Sequence, residues 1–145
     1  MKHVSKSVLL FYTASEMYGL VTAIADYPQF LPWCDKAEVL ESDAQGVTAK
    51  VGLAFAGVHH SFTTRNEQVP ARSVQMQLVD GPFSVLKGEW QFQPLGEHAS
   101  KVEFDLQYAF ASGALERVLS PVFDRVASSL VDAFVQRARQ VYGER

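Results

Sequence analysis

Few residues of this 145-residue chain have the types and spacing that catalysis or metal binding requires. His59 and His60 are adjacent, and neighbours on a strand point to opposite faces, so they cannot hold one ion together. Cys34 is the single cysteine, and the carboxylate of Asp35 beside it raises a thiol pKa, which is the wrong direction for a nucleophile. No HExxH, GxSxG or GxxxxGKS/T motif occurs. The sequence therefore predicts no catalytic residue and no metal site.

Two polar groups of residues are candidates for binding. Arg65, Asn66 and Glu67 lie on a predicted strand, where one of them could reach an interior cavity and hydrogen-bond a ligand carbonyl. The favoured interpretation is a solvated strand face. Four arginines occupy the last segment, but Asp124 and Asp132 interrupt them, and two of them do not share a helix face. These arginines, Arg117, Arg125, Arg137 and Arg139, are therefore interpreted as a solvated helix surface rather than an RNA-binding site.

The most unusual stretch is the aromatic loop, residues 27–34, with the sequence Tyr-Pro-Gln-Phe-Leu-Pro-Trp-Cys. Its two prolines predict a loop or a single helical turn after a helix that ends near Asp26. Surface loops are usually polar, so a loop with this many large apolar side chains must cover a core, a ligand or a bilayer. We expect it to form a lid over a cavity mouth and to touch membranes transiently, because Trp and Tyr favour the membrane interface.

Composition bounds the class of protein. The chain is 48% hydrophobic and 20% charged with a net charge of −3, which is typical of one globular domain, residues 1–145, and argues against DNA binding. One cysteine indicates a reducing compartment. No run of about eighteen apolar residues occurs. We expect a cytoplasmic protein, with a peripheral position at the inner membrane as an alternative.

The hydrophobic pattern predicts the elements. Residues 3–11 form a strand, and Thr13 then caps a helix with Glu16 as its capping-box partner. From about residue 36 to 110 apolar residues alternate with polar ones, which predicts six more strands in an antiparallel meander. Residues 114–142 return to helical spacing, and Pro121 should either kink this helix or begin a new one with Ser120 as N-cap.

These elements predict an α+β domain with a cavity. Seven strands make a sheet about 34 Å wide, whereas one helix is about 10 Å across. The sheet must therefore curl around the helix, and an apolar cavity open at one end is expected where the two diverge. The small residues Gly52, Ala54, Ala56 and Gly57 either leave room for a ligand there or mark bends in the sheet.

Three motifs in order make the chain resemble the coenzyme-Q-binding START-domain family, a START-like family related to polyketide cyclases. They are residues 27–34; Asp80-Gly81-Pro82-Phe83 followed by Leu86-x-Gly88-x-Trp90-x-Phe92-x-Pro94; and Ala133-Phe134-x-x-Arg137-Ala138-x-x-Val141-Tyr142-Gly143. The resemblance covers nearly the whole chain. It implies the helix-grip fold, in which a curved seven-stranded antiparallel sheet wraps around a long C-terminal helix. No mitochondrial transit segment is expected, which fits a bacterial member.

The resemblance also implies function. We expect a non-enzymatic protein that binds a hydrophobic lipid, most simply ubiquinone, in support of respiration, with no catalytic cofactor. One alternative is a ribosome-association toxin of the RatA type, which binds the large ribosomal subunit and blocks subunit joining. A weaker alternative is a polyketide cyclase or aromatase. The expected cavity and lid residues are Tyr27, Phe30, Leu31, Trp33, Phe55, Phe62, Met76, Phe83, Leu86, Trp90, Phe92, Phe104, Phe123 and Phe134.

Overall fold

The computed structural model describes all residues, 1–145, as seven strands and two α-helices. The strands are β1 (Lys2–Leu10), β2 (Cys34–Ser42), β3 (Gly46–Phe55), β4 (Val58–Val69), β5 (Ser73–Asp80), β6 (Phe83–Pro94) and β7 (Ser100–Phe110). The helices are α1 (Ala14–Thr22) and α2 (Gly113–Tyr142), and a 3-10 helix spans Ile24–Gln29. The predicted helix-grip fold with its seven-stranded sheet is confirmed. No helix is long and apolar enough to cross a membrane.

The seven strands form one antiparallel sheet in the order β1-β7-β6-β5-β4-β3-β2. The pairing of β1 with β7 runs without a register shift from Lys2 opposite Tyr108 to Leu10 opposite Ser100. In β1 exposed residues alternate with half-buried ones, as expected for a strand with one wet face. The meander thus places the first strand beside the last, and β1 and β2 form the two edges.

Local signals in the sequence explain the first helix. The Thr13 hydroxyl accepts from the backbone N–H of Glu16 at 3.0 Å, and the Glu16 carboxylate accepts from the backbone N–H of Thr13 at 2.9 Å. This reciprocal pair satisfies two N–H groups that a helix start leaves free. The helix ends at Thr22, earlier than predicted, and the chain continues as the 3-10 helix that carries Tyr27 and Pro28.

The long helix begins after Ser112, whose hydroxyl accepts from the N–H of Leu115 at 3.2 Å. It ends at Gly143, where φ is 81°, a conformation that glycine adopts without strain. It continues through Pro121 as one helix, so the expected alternative of a new helix beginning there is wrong. Ser120 instead donates to the carboxylate of Asp124 at 3.1 Å.

The small residues of β3 mark bends rather than space. Gly52 lies at an irregularity in the β2–β3 pairing, and a Cβ on it would meet Oδ1 of Asp35 at 2.2 Å. Ala56 and Gly57 form the β3–β4 turn with φ of 52° and 81°. For Gly52, Ala56 and Gly57 the expectation of room for a ligand is therefore wrong, and the alternative, a bend, is confirmed.

Candidate functional site

An apolar cavity of about 90 Å³ lies between the sheet and α2. Sixteen of its nineteen lining residues are hydrophobic, which suits an apolar ligand rather than a polar substrate. The wall is formed by Ile24, Tyr27, Trp33, Ala49, Val51, Phe62, Thr64, Asn66, Met76, Leu86, Gly88, Trp90, Phe104, Leu106, Phe123, Val126, Ala127, Leu130 and Phe134. The cavity predicted from the widths of helix and sheet is present, but it is small.

The position of α2 explains the cavity. The helix packs against β7 and β1, and its buried residues, such as Phe123, Ala127 and Phe134, face the sheet. The helix does not pack in the same way on β3, β4 or β5. Ala49 and Val51 of β3 therefore face the helix across a gap instead of touching it closely, and that gap is the cavity.

Nine of the fourteen predicted site residues line the cavity. They are Tyr27, Trp33, Phe62, Met76, Leu86, Trp90, Phe104, Phe123 and Phe134. Trp90 is 2% exposed and packs on Phe104 at a ring-centroid distance of 4.4 Å. Its indole N–H donates to no protein atom, so the hydrogen bond expected for that group in a buried site is not made within the protein.

The other five predicted residues lie outside the cavity wall. Phe83 stacks on Phe110 at 5.2 Å, and Phe92 lies against Tyr18 at 5.8 Å. Phe55 is half-buried near the β3–β4 turn. Phe30 and Leu31 belong to the aromatic loop but do not reach the cavity. These five were predicted from their apolar character, which a packed core needs equally.

The aromatic loop is folded inward in this structure. Leu31 is 1% exposed and Trp33 is 8% exposed, while the rings of Tyr27 and Phe30 lie 5.6 Å and 5.2 Å from that of Phe134. The Tyr27 hydroxyl donates to the carbonyl of Val21. Burial raises the pKa of Tyr27 above its ordinary value, so this hydroxyl remains a donor. The loop closes one side of the cavity as packed structure.

One side chain holds the loop to α2 from outside. The guanidinium of Arg137 donates to Oε1 of Gln29 at 3.0 Å and lies 5.0 Å from the ring centroid of Phe30. Arg125 lies similarly over Phe55, at 5.6 Å. Arg117 and Arg125 are exposed, so the interpretation as a solvated helix surface holds for them, whereas Arg137 is half-buried and packs on the ring of Phe30. Arg139 is exposed, as expected.

The polar residues of β4 divide between the two faces of the sheet. Asn66 is 6% exposed and lines the cavity, and Thr64 beside it is 6% exposed. The Thr64 hydroxyl donates to Oδ1 of Asn66 at 2.7 Å. Arg65 points the other way and pairs with Asp43 at 2.8 Å. The favoured interpretation, a solvated face, is wrong for Asn66, and the cavity position that was the alternative is confirmed.

The remaining candidates for chemistry, Cys34 and the two adjacent histidines, lie outside the cavity wall. Cys34 is buried. Burial raises the pKa of its thiol to about 11, and the charge of Asp35 acts in the same direction. Its sulfur donates to the carbonyl of Lys36 at 3.2 Å, so the thiol is a packed structural group. His59 and His60 are both exposed.

Several cavity residues were missed by sequence reasoning, and Asn66 was named only as the less favoured alternative. Thr64 and Asn66 follow Phe62 at steps of two, and this strand periodicity places all three on one face. That signal was available and could have identified them. Ala49, Gly88 and Ala127 are small and carry no such signal, because their position depends on the register of neighbouring strands and on where α2 lies.

Comparison with known proteins finds a matching family profile and several similar sequences. The sequence profile of the family described as polyketide cyclase / dehydrase and lipid transport matches residues 11–135. A Vibrio cholerae protein named ribosome association toxin RatA is 44% identical over 144 residues, which cover 99% of this chain and 100% of that protein. A Xenopus laevis protein named coenzyme Q-binding protein COQ10 homolog B, mitochondrial, is 30% identical over 96% of this chain and 59% of its own length.

Solved structures support the fold. The crystal structure of the Zhui aromatase/cyclase from a Streptomyces species superposes with a TM-score of 0.82 over 97% of this chain and 95% of that one, at 20% identity. At that identity the likeness concerns the fold alone. The family is established by the match over 125 of 145 residues, from 11 to 135, and by the full-length relative. The solved structure agrees with this assignment in its fold. The chain belongs to the polyketide cyclase / dehydrase and lipid transport family, the START-like group that its motifs indicated.

Proposed function

We propose that this protein associates with the ribosome in the manner that the name of its bacterial relatives describes. The observation that carries the proposal is the 44% identity to the Vibrio cholerae ribosome association toxin RatA across 99% of this chain. A match of this extent spans the whole sheet and both helices, so it includes every surface of the domain. The net charge of −3 gives no support for binding through rRNA phosphates alone, and contact through ribosomal protein is proposed.

Sedimentation tests this proposal directly. Purified protein is added to 70S ribosomes, and to separated subunits at a magnesium concentration that permits joining. We expect the protein to travel with the large subunit and the 70S peak to fall in favour of free subunits. The control is Phe104→Asp, which places a charge in the core at a residue that is 1% exposed and should unfold the domain. Unchanged profiles with wild-type protein would contradict the proposal.

A second function is supported by the cavity: binding of a neutral hydrophobic ligand, with an isoprenoid quinone such as ubiquinone as the proposed occupant. Burying an apolar tail contributes about 0.8 kcal/mol per methylene before association costs. The cavity of about 90 Å³ lies below the range of roughly 300–1,000 Å³ typical of ligand sites. A ubiquinone therefore enters only if the aromatic loop moves outward. Binding rather than catalysis is proposed, because the wall offers no acid–base pair.

Native mass spectrometry of protein purified from a quinone-producing host tests the second function. We expect a substoichiometric lipid mass that organic extraction identifies as a quinone. The matched control is Ala127→Leu, which extends a side chain into the cavity from α2 and should abolish the added mass. Equal lipid in both proteins, or none in either, would contradict cavity binding.

Transient contact with a bilayer follows from this second function, because the quinone is dissolved there. The aromatic loop is the proposed contact, and with no cluster of Lys or Arg beside it, binding should depend little on anionic lipid. Trp33→Ala and Phe30→Ala should slow ubiquinone transfer between neutral vesicles. Transfer at the wild-type rate in both variants would rule out the loop as the contact.

A further inference from the structure

We propose that Asn66, oriented by Thr64, is a hydrogen-bonding subsite that selects a neutral ligand bearing a carbonyl oxygen. The inference rests on the proposal of a hydrophobic ligand and deepens it by naming the recognised group and the residue that recognises it. It does not depend on ribosome association.

Asn66 is an unusual residue to find on this wall. It lies on β4, an interior strand, opposite Val47 of β3 and Met76 of β5, and it is only 6% exposed. Arg65 and Glu67 on either side point to the wet face, so the amide alone of these three enters the apolar space. A buried amide without its full set of partners is destabilising, and an apolar residue would pack there at lower cost.

The hydrogen bonds of Asn66 leave its donor free. Oδ1 accepts from the Thr64 hydroxyl at 2.7 Å, which fixes the orientation of the amide. Nδ2 donates to no protein atom. Every side-chain nitrogen or oxygen that is wholly inaccessible in this structure has a partner, so Nδ2 must be reachable, and the accessible space beside Asn66 is the cavity. The amide N–H groups are therefore presented to an occupant.

The chemistry of the wall narrows the occupant. The indole N–H of Trp90 is a second donor without a protein acceptor, so the cavity wall carries two donor groups that an occupant can satisfy. A carbonyl oxygen accepts without adding a proton that needs an acceptor of its own. No Lys, Arg or His lines the cavity, so a carboxylate would be buried without a counter-charge, which is strongly unfavourable. A neutral ketone or quinone fits these constraints, and a fatty-acid anion does not.

The volume of the cavity limits the size of a suitable probe molecule. A space of about 90 Å³ is somewhat smaller than the apolar cavities of about 150 Å³ that take up benzene, so a single six-membered ring is the largest suitable probe. Cyclohexanone and methylenecyclohexane have nearly the same shape and differ in whether an oxygen or a CH₂ group is presented. The pair therefore isolates the contribution of the carbonyl oxygen.

Both probes are titrated by NMR into wild-type protein, Asn66→Leu and Met76→Leu. Met76 is the cross-strand neighbour of Asn66 and lines the same cavity, so Met76→Leu is the matched control for a change of wall shape. We expect Asn66→Leu to weaken cyclohexanone binding about five- to tenfold, the usual effect of one lost hydrogen bond, while methylenecyclohexane binding holds or tightens. Met76→Leu should change both probes alike. In wild-type protein the ketone alone should shift the Asn66 side-chain NH₂ signals.

The possible outcomes distinguish the Asn66 subsite from the proposal of hydrophobic-ligand binding on which it rests. If both probes bind and Asn66→Leu weakens them equally, the subsite is wrong while hydrophobic binding stands. If neither probe binds wild-type protein, cavity binding fails and the subsite fails with it. Asn66→Val serves as a second variant that removes the NH₂ group and adds no other hydrogen-bond donor. It should lose the preference for the ketone as Asn66→Leu does, and retention of that preference would overturn the inference.

Discussion

The two halves of the sheet, each made of neighbouring strands, are packed differently, although one continuous meander forms both. In the packed half (β1, β6 and β7, covered by α1 and α2) the aromatic rings of β6 and β7 pack on α2, and the rings of Phe83 and Tyr108 lie 4.9 Å and 4.7 Å from that of Phe123. In the open half (β2, β3 and β4) the pairing contains irregularities and much of β2 is exposed. The cavity lies at the border between the halves.

The difference follows from the width of one helix. A helix about 10 Å across covers only part of a sheet about 34 Å wide, so it can fill the packed half or the open half but not both. The chain places α2 over β7 and β1, which leaves β3 and β4 to face the gap. Stability is therefore concentrated in the packed half, and space for a ligand arises where helix and sheet diverge.

Polar contacts follow the same division. Asp124 of α2 accepts hydrogen bonds from Lys2 of β1 and Tyr108 of β7. Partial burial opposes ionisation of this carboxyl group, but the bonds from Lys2, Tyr108 and Ser120 outweigh it and hold the pKa of Asp124 below its ordinary value. In the open half, Asp43 and Arg65 pair at the surface. The packed half is thus tied to α2 by partly shielded bonds, and the open half is not.

The largest expected effect tests the packed half. Trp90→Ala should lower the free energy of unfolding by about 3–5 kcal/mol, because Trp90 packs on Phe104 and Phe134 and loses contacts with both. Urea denaturation measures the change. Phe55→Ala, a half-buried ring of the open half, is the control and should cost about 1 kcal/mol. A cost below about 1 kcal/mol for Trp90→Ala would mean that Trp90 packs mainly against ligand.

The second-largest expected effect tests whether the empty cavity lowers the free energy of unfolding. At about 24 cal/mol per Å³, an empty space of about 90 Å³ destabilises the fold by about 2 kcal/mol. Ala127→Leu should recover up to that amount, and thermal or urea unfolding would measure it. Ala114→Leu, exposed on the same helix, should change little. A loss of more than about 1 kcal/mol in Ala127→Leu would show that the wall cannot accept the larger side chain.

The elements could be predicted because their signals are local. The capping box of α1 needs only two residues three positions apart, Thr13 and Glu16. In an alternating strand such as β7, the sequence of the strand itself indicates which face is buried. The end of α1 at Thr22 was predicted less well, since the 3-10 helix continues the chain in nearly helical form. Of the two outcomes predicted at Pro121, a new helix was wrong because proline interrupts one hydrogen bond, while the packing of the helix on β7 and β1 holds the remainder.

The site could be predicted only in part because its geometry is not local. Large apolar residues such as Met76 and Trp90 were identified, since either core or cavity requires them. The choice between Ala56, which lies in a turn, and Ala49, which lines the cavity, depends on strand register and on the position of α2. A solvated face was favoured for Arg65, Asn66 and Glu67 together, although Phe62, four residues before Asn66, has the same parity and indicates that Asn66 points inward.

A smaller effect tests the ion pair that joins the first turn of α1 to the C-terminal residue. Glu16 pairs with Arg145 at 2.6 Å, and this hydrogen bond, together with that from the Thr13 backbone, lowers the pKa of Glu16 from its ordinary 4.5 to about 2. The stabilisation is therefore complete above about pH 4.5 and is lost as the pH falls toward 2. Because Arg145 is partly exposed, Glu16→Gln should cost about 1 kcal/mol at pH 7.

Urea unfolding at several pH values checks this prediction. The difference between wild-type protein and Glu16→Gln should shrink as the pH falls below about 4.5 and be small at pH 2, where about half of the folded wild-type molecules still carry an ionised Glu16. Glu144→Gln, an exposed carboxylate next to Arg145 in the chain, is the control and should show no such trend. A difference that stays constant from pH 7 to pH 2 would show that shape rather than charge accounts for the cost.

The smallest effect tests how the border between the halves opens. Arg137 is the surface contact that joins the aromatic loop to α2, through Gln29 and the ring of Phe30. An exposed cation–π contact contributes about 0.5–1 kcal/mol, so Arg137→Ala should favour loop opening by about two- to fivefold. The backbone N–H of Leu31, which donates to the carbonyl of Tyr27 at 2.9 Å, reports this opening through its rate of hydrogen exchange.

Arg139→Ala provides the matched control, because it removes the same side chain two residues along the helix, from an exposed position without a contact to the loop. Exchange at Leu31 should accelerate in Arg137→Ala and stay at the wild-type rate in Arg139→Ala, while amides of β7 are unaffected in both. If Leu31 exchanges equally in all three proteins, Arg137 does not restrain the loop. Acceleration at Leu31 and in β7 together would mean that the loop opens only when the packed half unfolds, and then a ligand could not enter by loop movement alone.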